Sequence, residues 1–112
     1  MRERFQMILP IKKKWFDMIK SGEKREEYRE IKPYYTTRFL NACFLKKMVN
    51  PITKAEWIEP YKSGVIGFRN GYSATSPTIF VKCHIKIDNG RPEWGAVEGV
   101  KYYALVIENV LG

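Results

Sequence analysis

Three neighbouring charged residues, Lys24, Glu27 and Arg29, offer the richest chemistry in this sequence. They lie in Ser21 to Ile31, where Lys24, Arg25, Glu26, Glu27, Arg29 and Glu30 crowd around a single Tyr28. Arginine presents a planar fork of donors suited to phosphate or carboxylate, and lysine a movable point charge. Glu27 can hold either cation in place or accept hydrogen bonds from a base amine. A lysine beside a glutamate also works as a general base where burial lowers its pKa. The plain alternative is a cross-strand ion pair, worth at most about 1 kcal/mol when exposed. Strict strand alternation sets Glu27 and Arg29 on one face and Lys24 on the other. A shared cleft therefore requires Lys24 to sit in a turn or bulge before regular pairing begins.

Other residues fit the same chemistry. Lys12, Lys13 and Lys14 open a helix, where the macrodipole is already positive and each exposed cation loses about 0.3–1 kcal/mol relative to an anion. No Ser, Thr, Asp or Asn precedes them as a cap, and an anion held at this end would resolve both problems. Arg69 and Asn70 offer a phosphate contact and a base-edge contact. Tyr28, Tyr34, Tyr72, Trp94 and Tyr102 are candidates to stack on a base, a contact worth about 1–3 kcal/mol. Tyr72 and Trp94 are the preferred pair, because loop aromatics have less packing reason to exist.

The elements that must position these residues follow from periodicity. Phe5 to Leu9 is an apolar run and a first strand, broken by Pro10. Ile11 to Lys20 is a helix with Ile11, Trp15, Met18 and Ile19 on its inner face, ended by Gly22 in the left-handed conformation. Lys24 to Glu30 is a second strand. Lys32-Pro33 starts another helix, with Tyr35, Phe39, Ala42 and Cys43 on its buried side. Thr53-Lys-Ala-Glu56 has the form of a capping box, which predicts a short helix ending near Pro60. Val65 to Arg69 is a strand that runs into an Asn70-Gly71 turn. Thr78 to Ile87 alternates as a half-buried strand with Phe80, Lys82, His84 and Lys86 outward, so His84 is solvated. Tyr102 to Val110, apolar on both faces, is a central strand. The pattern predicts α+β, a small mixed β-barrel with helices packed against it.

At 112 residues, 45% hydrophobic and 14% aromatic, the chain reads as a single domain, residues 1–112, with enough apolar material for a core. No long apolar run marks a signal peptide or a membrane span, so the expectation is a cytoplasmic protein without a membrane partner. Cys43 and Cys83 fit neither a CxxC pair nor a disulfide framework and read as buried reduced thiols. With His84 the sole histidine, no metal or cofactor is implied. The net charge of +8 is unevenly placed: residues 1–32 carry +4, residues 33–86 carry +6 and residues 87–112 carry −2. A basic face of this kind attracts polyanions, here RNA or a nucleotide.

With Gly22-x-Lys24-x-x-Glu27-x-Arg29 in view, the chain resembles the ASCH domain, the activating-signal-cointegrator homology family. Phe68-Arg-Asn-Gly-Tyr72, Trp94-Gly95-Ala96 and Tyr102-Tyr103 are similar, in the same order, to the compact bacterial and phage members. The resemblance covers nearly the whole chain, residues 43–62 least. It implies a PUA-like barrel that binds RNA or nucleotides in a cleft between helices and barrel. Some small members are amidohydrolases that remove the acetyl group of 4-acetylcytidine using the motif lysine, a threonine and a glutamate; a ribonuclease is also ascribed to the family. The lysine corresponds to Lys24, whereas Glu27 stands where those hydrolases carry threonine. Two main expectations result: a binding domain using Lys12, Lys14, Lys24, Glu27, Arg29, Arg69, Asn70, Tyr72 and Trp94, or a hydrolase with Lys24 as base or nucleophile and Glu27 as its partner. A third is a protein-interaction module whose charged strand is only surface.

Overall fold

The computed structural model describes residues 7–112. Its elements are β1 (Met7–Pro10), α1 (Lys13–Ser21), β2 (Glu26–Glu30), α2 (Pro33–Asn41), β3 (Leu45–Val49), β4 (Glu56–Pro60), β5 (Gly64–Arg69), β6 (Thr78–Asn89), a 3-10 turn (Pro92–Trp94) and β7 (Lys101–Val110). Five strands form one sheet in the order β1-β5-β6-β7-β2, and β3 and β4 form a separate two-stranded sheet. Among the described residues, only β1 and β5 pair in parallel; the other pairs are antiparallel. The fold is α+β: a curled half-barrel sheet with two helices. A register shift between Lys82 and Cys83 interrupts the β6–β7 ladder, the kind of bulge that increases local twist. Among the described residues, no helix is long and apolar enough to cross a membrane.

The core follows the expected alternation as far as Ile85; Ile87, expected on the same inward face, is exposed. Ile79, Val81, Cys83 and Ile85 of β6 are buried, and they meet Ile66 and Phe68 of β5, Tyr103 and Leu105 of β7, and Phe16, Ile19 and Phe39 of the helices. β7 lies between β6 and β2, the interior place its apolar faces call for. The first strand is observed from Met7 onward; Phe5 lies outside the described residues.

Two expectations are corrected. The short helix from the Thr53 capping box to Pro60 is instead the return strand of a β3–β4 hairpin, with Val49 opposite Glu56 and Leu45 opposite Pro60. Asn50 wins the local competition: its side-chain oxygen accepts from the Ile52 and Thr53 backbone N–H groups at 2.9 and 3.0 Å. Thr53 Oγ1 accepts from Ala55 N–H, so it caps no helix. Lys54, at φ 63°, turns the chain back.

The second correction concerns the thiols. Cys83 is buried, and burial pushes its thiol up to about 12, but Cys43 is exposed. Cys43 occupies the left-handed position at the end of α2, with φ 65°. Its N–H donates to Leu40 O and the Phe44 N–H to Phe39 O, the paired bonds of a Schellman ending. Phe44 then meets Phe39 edge-on at 6.2 Å, the apolar contact that accompanies this motif.

Candidate functional site

Lys24 reaches the interior because it precedes the strand. Gly22 ends α1 with φ 86°, a conformation that favours glycine, and its N–H donates to Ile19 O. The chain then folds back so that Lys24 N–H donates to Met18 O at 2.9 Å. Regular pairing starts at Glu26, after which Glu27 and Arg29 alternate inward opposite Leu105 and Tyr103 of β7. Lys24 thus lies in the turn, which removes the alternation conflict and lets all three side chains converge.

They form one buried network. Lys24 Nζ lies 3.0 Å from Glu27 Oε1, and Arg29 Nη2 lies 2.8 Å from Glu27 Oε2. The residues are 1%, 7% and 9% exposed, so charges that only decorated a surface are ruled out. Lys24 also donates to the Trp94 carbonyl and stands 4.1 Å from the Trp15 ring centroid. Arg29 Nη2 donates to Pro10 O at 2.9 Å, and Nη1 donates to Tyr35 Oη at 3.3 Å. Arg29 Nε is buried with no hydrogen-bond partner among the described residues. Burial, the largest effect, lowers the Lys24 pKa despite the opposing attraction of Glu27; Arg29 and Lys14 push in the same direction as burial. One carboxylate serves two cations, so the network carries a positive surplus.

The rim above this network is aromatic and basic. Trp15 and Trp94 are both half-buried. Lys14 Nζ stands 4.6 Å from the Trp15 ring, and the Arg91 guanidinium 4.9 Å from the Trp94 ring. Gly95, at φ 101°, lets the loop close: a Cβ there would sit 3.0 Å from the Trp15 ring. Tyr28 Oη accepts from Arg91 N–H and donates to Glu26 Oε1, which clamps the same loop onto β2.

Of the residues proposed from the sequence, Lys24, Glu27, Arg29 and Trp94 are brought into contact, and Lys14 joins them through Trp15. Arg69 lies alongside: it pairs with Pro10 in the β1–β5 ladder, and its carbonyl accepts from Ile11 N–H at the approach to α1. Lys12 is exposed at the uncapped start of α1, close in sequence to Lys14. Asn70 and Tyr72 belong to the β5–β6 loop; Asn70 N–H donates to Pro77 O, and Tyr72 is 91% exposed. Neither makes a contact with the network. Helical spacing places Trp15 and Tyr35 only at core positions, yet they flank Lys24 and Arg29. Each stands on a helix face bordering the charged strand, a juxtaposition that depends on three-dimensional packing.

Comparison with family models, curated proteins and solved structures gives no match to this chain.

Proposed function

We propose that this protein is a cytoplasmic ASCH domain with a PUA-like fold, and that it binds RNA or a nucleotide over the Lys24–Glu27–Arg29 network. The observation that carries this reading is the buried positive surplus that touches the Trp15 ring and the Trp94 carbonyl, two half-buried tryptophans whose rings are each met by a further cation at the rim. A buried cationic surplus projects a field that is little screened, and aromatic rings above it offer sequence-tolerant stacking platforms. In this reading Lys12, Lys14 and Arg69 contact phosphate, Trp94 stacks, and Lys24, Glu27 and Arg29 hold the platform and supply the field. Asn70 and Tyr72 engage from the neighbouring loop.

The test is fluorescence anisotropy with labelled single-stranded RNA and with nucleotides. Binding at low salt that weakens steeply as salt rises is the expected result. An absence of affinity for either ligand at low salt would end this reading.

One observation favours a second reading, a hydrolase acting on a modified nucleoside or RNA. Burial lowers the Lys24 pKa, which enlarges the neutral amine fraction that a base or nucleophile needs. Incubation with 4-acetylcytidine and with RNA, followed by product analysis, tests it. Turnover that survives Lys24→Ala would remove Lys24 from the mechanism.

A further inference from the structure

One face of the β3–β4 hairpin presents two large exposed aromatic rings. Leu45 and Ile58 point inward; Leu45 is buried and Ile58 packs against the core. Alternation turns Lys46, Met48, Trp57 and Glu59 to the opposite face, with Met48 across from Trp57 and Lys46 across from Glu59. Tyr61 continues this face, since Lys46 Nζ stands 5.1 Å from its ring. Lys62 Nζ approaches the same ring at 5.0 Å.

Trp57 is 43% exposed and Tyr61 52%, although each is large enough to be worth burying. The indole is also held in place, because Trp57 Nε1 donates to Glu59 Oε1 at 2.9 Å. A fixed, exposed ring has lost rotamer freedom in advance and is preorganised for contact. Lys46 and Lys62 have no carboxylate partner among the described residues; their ammonium groups rest against the Tyr61 ring with their charge not neutralised. Trp57 and Tyr61 are four residues apart, about 13 Å along an extended chain. The face carries two exposed rings and two cations against the single carboxylate of Glu59, a small positive excess.

We propose that this outer face is a second contact surface for single-stranded RNA, and that the ligand is therefore a polymer rather than a mononucleotide. The inference rests on the RNA-binding reading above and extends it. Helix α2 connects the two surfaces: Tyr35 in its first turn touches Arg29, and its end leads into β3. Along its exposed side the Arg38 guanidinium stacks 4.2 Å from the Tyr34 ring, a further cation–aromatic pair between them. Nine helical residues span about 13 Å, so a ligand must exceed a single nucleotide to occupy both surfaces.

The experiment measures binding of a twelve-nucleotide single-stranded RNA and of a dinucleotide to the full chain, comparing wild type, Trp57→Ala and Lys46→Gln/Lys62→Gln. Loss of stacking lowers affinity for the twelve-mer at least about fivefold in Trp57→Ala. The double lysine variant flattens the slope of log affinity against log salt by about 1.4. Dinucleotide binding stays unchanged in both. The lysine substitutions are on the surface, so they keep the test decisive if Trp57→Ala lowers stability. Twelve-mer binding equal in all three proteins overturns the inference and leaves the RNA reading intact. No binding of either RNA by the wild type removes both. A face that serves instead to pair two copies would show as a variant-dependent change in sedimentation with unchanged RNA affinity, and this also overturns the proposal.

Discussion

Glu27 is the residue on which the buried network depends, because both cations lean on its single carboxylate. Glu27→Gln leaves two buried positive charges without a counter-charge, and a loss of about 3–5 kcal/mol is expected. Lys24→Met costs less, since it removes a charge that burial already disfavours and leaves the Glu27–Arg29 pair intact. Urea unfolding of the two variants checks the order, and a reversed order would show that Lys24 is the keystone. Titration gives a second check. The folded Lys24 amine has a lowered pKa, so below the unfolded value of 10.5 the unfolded chain holds more of its proton. The contribution of this group to stability therefore rises with pH through that window and is complete above 10.5. The stability of Lys24→Met relative to wild type should accordingly fall as the pH rises towards 10.5. A pH-independent difference would contradict the lowered pKa. The motif itself was legible because Gly22, the turn and the alternation of Glu27 with Arg29 are local features. The Trp15, Tyr35 and Pro10 contacts were not, because each depends on how an entire helix or strand lies.

Elements with strong periodicity were legible for the same reason. The alternation of β6 and the interior placement of β7 were both readable, as was the Gly22 ending of α1. The β3–β4 hairpin was not. Thr53 and Glu56 have capping-box spacing, but that signal competes with an Asn50-Pro51 turn, and the winner is decided by Leu45 and Ile58 finding the core. The end of α2 shows a different compromise. Its left-handed position carries Cys43, where a Cβ crowds the following carbonyl and glycine is the usual choice. Cys43→Gly should stabilise the protein by about 1 kcal/mol, read as a higher urea midpoint at unchanged slope. A destabilised variant would mean that the exposed thiol makes an offsetting interaction.

Across the whole molecule, the network joins parts of the chain that meet only when the sheet is complete. Arg29 ties β2, at one edge of the sheet, to the carbonyl of Pro10 at the end of β1, the other edge strand. Lys24 bonds to a carbonyl 70 residues later, on the loop that leads into β7. That loop cannot settle over Lys24 until β7 has inserted between β6 and β2. The expected consequence concerns the order of events in time: the long-range bonds to the Trp94 and Pro10 carbonyls close late, and the burial of the three charges is expected to wait for them. A late contact changes the unfolding rate and not the folding rate. Stopped-flow measurements on Glu27→Gln should therefore show a raised unfolding limb and a folding limb like that of the wild type. A folding limb lowered in proportion to the lost stability would mean that the charges pair early. In the late-pairing order, the chain searches for its strand partners with its most costly groups still hydrated, and an error in strand pairing can be undone before any charge is trapped.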